Sequence, residues 1–297
     1  MKKFKLWKVS LLLIMLLIPA VALAQISGPV VSADDLEKNL SNSKLVVLDV
    51  RKVEEYKTGH IPGSVNAAYG SWAIKKGDLL NELPAAEDLA DVIGGAGITS
   101  DSVVVVIGKT DKIADQFDMT RVAWTLKYMG VSRVAVLSGG INKWTADKKA
   151  LSTAPVKPKS ADFKPNINDK LFVGKAYVQS KLGKAVIIDT RGPAFFEGKE
   201  KLGFVPKLGR IKGAVNLPVG ALYTADGLYK DQATLASLAE KAAGADKDKE
   251  IIVYCDTGKT CTAWALVMTD ALGYKDVRVY DGSAMEWLAD PAAPSEP

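Results

Sequence analysis

The chain contains one pattern twice. Val46-Val47-Leu48-Asp49-Val50-Arg51 returns as Val186-Ile187-Ile188-Asp189-Thr190-Arg191. Gly59-His60-Ile61-Pro62-Gly63-Ser64-Val65-Asn66 returns as Gly209-Arg210-Ile211-Lys212-Gly213-Ala214-Val215-Asn216. Val103–Val106 matches Ile251–Tyr254, Gly130–Leu137 matches Gly273–Tyr280, and each copy then runs to a glycine and a tryptophan, Trp144 and Trp287. A period of roughly 140 residues is far too long for a solenoid and indicates two copies of one domain. The 297 residues suffice for two domains, each with its own core.

Within each copy, short apolar strands alternate with helix-length amphipathic segments such as Asp35–Leu40 and Leu235–Ala243. Alternation of this kind needs crossover connections, hence a parallel sheet covered by helices, an α/β fold. Val103–Ile107 is apolar at every position, as expected of a strand buried on both faces. The expected boundaries are a leader over 1–24, a first domain over 28–150 and a second over 169–290. Between the domains, 151–168 carries Pro155, Pro158 and Pro165 among polar residues and reads as a linker. The last residues, 291–297, read as a flexible tail.

Lys2, Lys3, Lys5 and Lys8 precede an apolar stretch from Leu11 to Ala20, followed by Val21-Ala22-Leu23-Ala24. A basic start, a short apolar run and small residues at Ala22 and Ala24 predict a secretory signal cleaved before Gln25, and a periplasmic or secreted protein. A retained anchor is the alternative, but the run is short for a bilayer span. Those four lysines belong to the leader; without them 35 basic residues face 34 acidic ones. So balanced a chain, with no basic stripe, gives no case for nucleic acid, and membrane insertion after cleavage is not expected.

Export implies an oxidising compartment, yet the chain has two cysteines, Cys255 and Cys261, and one histidine, His60. Neither a disulfide framework nor a Cys/His zinc site nor an HExxH metalloprotease can be assembled from them, and no metal or cofactor is called for. A Cys-His protease pair would have to reach across domains, with no accompanying signature.

Cys255-Asp256-Thr257-Gly258-Lys259-Thr260 follows the apolar run Ile251–Tyr254, and Thr262–Leu272 reads as a helix. A cysteine between a strand end and a helix N-terminus meets backbone N–H groups and a favourable dipole. Those surroundings lower a thiol pKa toward neutrality and produce the nucleophilic thiolate.

These residues resemble the tandem-domain rhodanese family of sulfurtransferases (thiosulfate/3-mercaptopyruvate sulfurtransferases). The resemblance rests on the Asp-x-Arg strand ends, the Gly-His-Ile-Pro-Gly turn, the Cys-x-x-Gly-x-Thr loop and the late Gly-Gly-x-x-x-Trp motif at Gly139, Gly140 and Trp144. It covers nearly the whole chain after the leader. It implies two domains, each built around a five-stranded parallel sheet, with the nucleophile in the second only. At the place of Cys255 the first copy has Ile107 or Gly108. The resemblance also implies double displacement: Cys255 attacks the sulfane sulfur of a donor, forms a persulfide, and yields that sulfur to cyanide or a thiol. The partners are then small sulfur-containing anions and thiol acceptors.

Cys255 is read as the nucleophile, against the alternative of a small buried residue. Lys259 would lower its pKa and attract an anionic donor, or be a surface charge. Thr257 and Thr260 would donate hydroxyls to the persulfide or shape the turn. Gly258 suits the positive φ of a tight cradle. Arg191 ends its strand where open sheets bind ligands, or pairs with Asp189 as Arg51 would with Asp49. Arg210 replaces the turn histidine in the second copy only, where a fixed positive charge would suit a sulfonate or carboxylate, or it is a plain surface substitution. His60 is expected to hold the equivalent turn. Cys261 is read as packing, with a resolving thiol as the alternative.

Donor identity stays open: Asp256 and Lys259 stand at the variable places of the Cys-Gly-Ser/Thr-Gly-Val-Thr loop of mercaptopyruvate users, the weaker candidates, and Asp256 does not fit the more basic loops of thiosulfate-preferring relatives. Two further functions compete: a sulfur or polysulfide carrier with little turnover, and a Cys255/Cys261 dithiol redox protein. The related phosphatases carry Cys-x5-Arg, and position 261 is cysteine.

Overall fold

The structure, a computed structural model, describes Ile26 and residues 28–297; the expected leader and its cleavage site lie outside the described residues. Each copy forms a five-stranded, all-parallel sheet. Across the first, the strands run Val30–Val31, Arg133–Leu137, Val103–Ile107, Leu45–Asp49, Val65–Asn66. Across the second they run Phe172–Val173, Asp276–Tyr280, Glu250–Tyr254, Val186–Asp189, Val215–Asn216. Counted along the chain, both sheets have the order first, fifth, fourth, second, third. Helices pack on both, so the fold is α/β in each copy.

Register settles which residue in the first copy corresponds to Cys255. Asp49 lies opposite Ile107, and Asp189 opposite Tyr254. The residue after each central strand is therefore Gly108 in one copy and Cys255 in the other. Their carbonyls accept equivalent bonds, from the Ile141 and Ala284 N–H groups.

The copies share a core. Helix Gln116–Tyr128 of the first packs against helix Thr262–Asp270 of the second, and Phe117, Val122, Trp264 and Leu266 are buried in one cluster drawn from both. These helices are enclosed on nearly every side, so neither shows a clean polar face. At roughly 1.5–3 kcal/mol per buried large apolar side chain, this contact outweighs the partly exposed Lys127–Asp270 ion pair beside it.

Two segments depart from the sequence expectation. The linker is fastened to the first copy: Ala161 N–H donates to the Gly94 carbonyl, Ser152 pairs with His60, and Phe163 is buried. The tail is not free either. Ser295–Glu296 pairs antiparallel with Arg210–Ile211, the Trp287 indole donates to the Pro294 carbonyl, and Ala293 is buried. In both cases unpaired backbone groups on the domain surface find partners in the passing chain. Among the described residues, no helix is long and apolar enough to cross a membrane.

One element of the first copy has no equivalent strand pair in the second. The hairpin Ile74–Lys76 and Leu79–Glu82 places Asn81, at φ +60°, against the Cys255 loop.

Candidate active site

Cys255 follows strand Glu250–Tyr254 and is 1% exposed. Burial pushes its thiol up, but hydrogen bonds from the Cys261 thiol, the Thr260 hydroxyl and the backbone N–H groups of Cys261 and Thr257 outweigh that. Together they hold it well below the ordinary thiol value. Cys261 moves the other way, raised by burial and by bonding to the Cys255 sulfur. The two shifts run in opposite directions, favouring the thiolate form of Cys255 and the protonated form of Cys261. Cys261 lies in the shared core, as the packing expectation has it. It is wholly buried, and its neighbour in the core is the candidate nucleophile.

The loop is tied down by Ser283. Its hydroxyl accepts from the N–H groups of Cys255 (3.2 Å) and Gly258 (2.9 Å) and donates to the Tyr280 carbonyl (2.7 Å). Ser283 is fully buried at φ +50°. It occupies the place that Gly140 holds in the first copy, where a Cβ would lie 2.4 Å from the Gly108 carbonyl oxygen. A non-glycine residue at positive φ is uncommon, and here its hydroxyl joins both ends of the loop. Sequence reasoning missed it, although Gly-Ser replacing Gly-Gly in the late motif was a visible signal.

Gly258 has φ +69°, and a Cβ there would meet the Asp281 carbonyl oxygen at 2.3 Å, so glycine is required. Thr257 is buried and its hydroxyl accepts from the Asn81 amide at 2.9 Å. Thr260 directs its hydroxyl to the Cys255 sulfur. Lys259 turns away, pairing with Asp118 of the first copy and lying 4.5 Å over the Tyr69 ring.

Arg191 is 4% exposed. It pairs with Asp189 at 2.7 Å and donates to the Gly209 carbonyl at 2.9 Å. Tyr254 donates to the same Asp189 carboxylate at 2.7 Å. The structure therefore favours the ion-pair alternative for Arg191, as for Arg51 with Asp49, although its Nη1 still lies 3.8 Å from Asp256. For Arg210 the structure goes against the anion-site reading and leaves the alternative. Its guanidinium bonds Glu296 (3.1 Å) and the Phe196 and Pro297 carbonyls, stacks on Phe196, and sends no hydrogen bond to the loop. The tail strand occupies it.

Asp256 is half-buried, and its Oδ1 has no hydrogen-bond donor. Burial and the adjacent Cys255 thiolate, only partly offset by Arg191, push its carboxyl up to about 7. Glu82, on the first copy's hairpin, is raised to about 7 by burial and by Asp281.

The largest contribution missed from the sequence is Arg121. This wholly buried side chain of the first copy donates to the carbonyls of Gly258 (2.8 Å) and Asn81 (2.6 Å) and pairs with Asp281 at 2.6 Å. Within helix Gln116–Tyr128 it carries no signal that separates it from a surface arginine. His60 bonds the Tyr56 carbonyl at 3.0 Å and stacks on the Tyr56 ring, holding the turn.

Comparison with known proteins places this geometry in context. The profile of the Rhodanese-like domain matches residues 32–147 and 174–290. A Synechococcus elongatus protein provisionally named thiosulfate sulfurtransferase is 32% identical over 92% of this chain and 87% of its own. The sulfur carrier protein TtuD of Thermus thermophilus is 30% identical, over 86% of this chain and 92% of its own. The thiosulfate sulfurtransferase of Pseudomonas aeruginosa is 29% identical over 90% of this chain and 96% of its own. Among solved structures, the anaerobic ergothioneine biosynthesis enzyme of Chlorobium limicola shares the fold, with a TM-score of 0.78 at 24% identity over 90% of this chain and 69% of that one.

Proposed function

The chain belongs to the rhodanese-like family, as a tandem-domain sulfurtransferase, and from that premise we propose that Cys255 carries the transferred sulfur. The observation that supports this most is the seat of Cys255, at a strand end in a loop joined by Ser283 and turned by Gly258 at φ +69°, where the thiol is held well below its ordinary value despite complete burial. In the first step the thiolate attacks the outer sulfur of a sulfane donor. With thiosulfate, the new Sγ–S bond forms as the donor S–S bond breaks, and the electron pair leaves on sulfite. Cys255 is then a persulfide anion, whose charge the loop N–H groups and the Thr260 hydroxyl can stabilise. In the second step cyanide or a thiolate takes the outer sulfur and returns Cys255 as thiolate. Splitting transfer into two displacements lowers each barrier, provided the nucleophile is activated.

Intact-mass spectrometry before and after thiosulfate tests the proposal. A gain of one sulfur, absent in Cys255→Ala and lost on adding cyanide, is expected. No adduct from any sulfane donor would overturn it.

A carrier role is the second reading, favoured by the 30% identity to a protein named as a sulfur carrier. Steady-state cyanolysis separates the two: a carrier loads Cys255 but turns over negligibly. We also propose that the protein acts after export. N-terminal sequencing of the mature protein beginning at Gln25 would support that, and an intact Met1 in the cytoplasmic fraction would refute it.

A further inference from the structure

Three cations packed at the Cys255 loop are already paired with carboxylates. Lys259 pairs with Asp118, Arg121 with Asp281, and Arg191 with Asp189. Arg210, expected to meet an anionic substrate, pairs with Glu296. Against these stand two further carboxyl groups, Asp256 and Glu82, each with a buried oxygen that receives no hydrogen bond. The closest cation to Asp256 is Arg191 Nη1 at 3.8 Å, beyond hydrogen-bond reach, and that guanidinium is already bidentate on Asp189.

This charge pattern bears on the donor. Thiosulfate is a dianion. Reaching Cys255, it would bring two negative charges beside a thiolate and the adjacent carboxylate, while Lys259, Arg121 and Arg191 are already held by carboxylates of the protein. In surroundings poorer in water than bulk, such like-charge contacts are amplified. A donor with an ammonium group two carbons from its sulfur meets the opposite condition, because Asp256 Oδ1 has an unused acceptor site.

We propose that Asp256 is a specificity-determining residue, selecting a sulfane-sulfur donor that carries an ammonium group, an aminoalkyl persulfide or aminoalkyl thiosulfonate, over the thiosulfate dianion. The proposal rests on Cys255 accepting sulfane sulfur as set out above. With 2-aminoethanethiosulfonate the bond between the sulfonyl sulfur and the outer sulfur breaks as the Cys255 Sγ–S bond forms. The electron pair leaves on 2-aminoethanesulfinate, no oxidant is needed, and the ammonium keeps its protons.

The test compares kcat/KM for 2-aminoethanethiosulfonate, methanethiosulfonate and thiosulfate at pH 8 with cyanide as acceptor, each corrected for its uncatalysed cyanolysis. Wild type is expected to prefer the aminoethyl over the methyl compound by about tenfold or more. Asp256→Asn should bring that ratio to about one and raise the thiosulfate rate, and Asp256→Glu should restore the preference. A wild-type ratio near one, or a preference that survives in Asp256→Asn, overturns the proposal. The wild-type ratio decides the matter even if a variant fails to fold. Absence of any sulfur adduct on Cys255 with all three donors would instead refute the sulfur-transfer role itself, so the two failures are distinguishable.

Discussion

Arg121, in the copy without a nucleophile, donates to the carbonyl oxygen of Gly258 at 2.8 Å, inside the loop that carries Cys255. The same guanidinium pairs with Asp281 and holds the Asn81 carbonyl. A buried charge with three partners is strongly coupled to each of them. Arg121→Met should therefore destabilise the protein by about 3–5 kcal/mol, read from urea unfolding, because Asp281 is left without its counter-charge. Adding Asp281→Asn should recover a large part of the loss. A cost below about 1 kcal/mol would mean that the clamp does not support the fold.

Ser283 offers a test of the loop itself. Ser283→Ala removes the acceptor for two buried N–H groups and should cost about 2–3 kcal/mol, with a fall in turnover of at least about tenfold. Ser283→Gly relieves the positive φ and should be the more stable of the two, yet equally slow. Recovery of turnover in the glycine variant would show that backbone strain, rather than the hydroxyl, governs the loop.

Gly258→Ala places a methyl group 2.3 Å from the Asp281 carbonyl oxygen at φ +69°. The positive φ alone costs about 1–2 kcal/mol, and the clash must displace the loop. Sulfur loading of Cys255, followed by mass, should be nearly abolished. Loading at the wild-type rate would mean that the loop adapts without moving its sulfur.

Cys261→Ala removes a hydrogen bond made to the charged form of Cys255. The apparent pKa of Cys255, measured as the pH dependence of its alkylation by iodoacetamide, should rise. Cys261→Ser, which still donates, should lie between the two. An unshifted profile would return Cys261 to a packing role.

Glu82 predicts a pH dependence of stability. Its carboxyl is raised to about 7 in the folded protein, above its ordinary value. Between those two values the unfolded chain has released a proton that the folded chain retains. Stability therefore falls as pH rises toward 7, and the loss is complete above it. Glu82→Gln removes the loss. The variant should be more stable than wild type by ~1–2 kcal/mol at pH 8 and nearly equal at pH 5, by thermal or urea unfolding. Equal stability at pH 8 would mean that Glu82 ionises as it does in water.

Much of the fold was legible because its signals are local. Alternating apolar strands and the doubled motifs specify two parallel sheets, and strand register then identifies Gly108 as the counterpart of Cys255. The loop from Cys255 to Thr260 was legible for the same reason. The rest of the site depends on contacts between distant parts of the chain. Asn81 and Thr257 are 176 residues apart, and Arg121 and Gly258 are 137. No spacing rule reports such pairs. Arg210 misled because its charge was visible while its partner, the tail strand, was read as unstructured. The partner of Lys259 was equally out of sight, since Asp118 lies in the other copy.

Gene duplication normally frees one copy to decay, and the first copy here has Gly108 where its twin has Cys255. The bonds from Arg121 and Asn81 nevertheless make it a scaffold for its twin. A second domain expressed alone would expose the shared helix interface and leave the Gly258 carbonyl, the Thr257 hydroxyl and Asp281 without their partners. A copy without the cysteine can thus be needed for its contacts alone. Drift at Arg121 or Asn81 would register as failure in the neighbour, and the pair is inherited as a single unit.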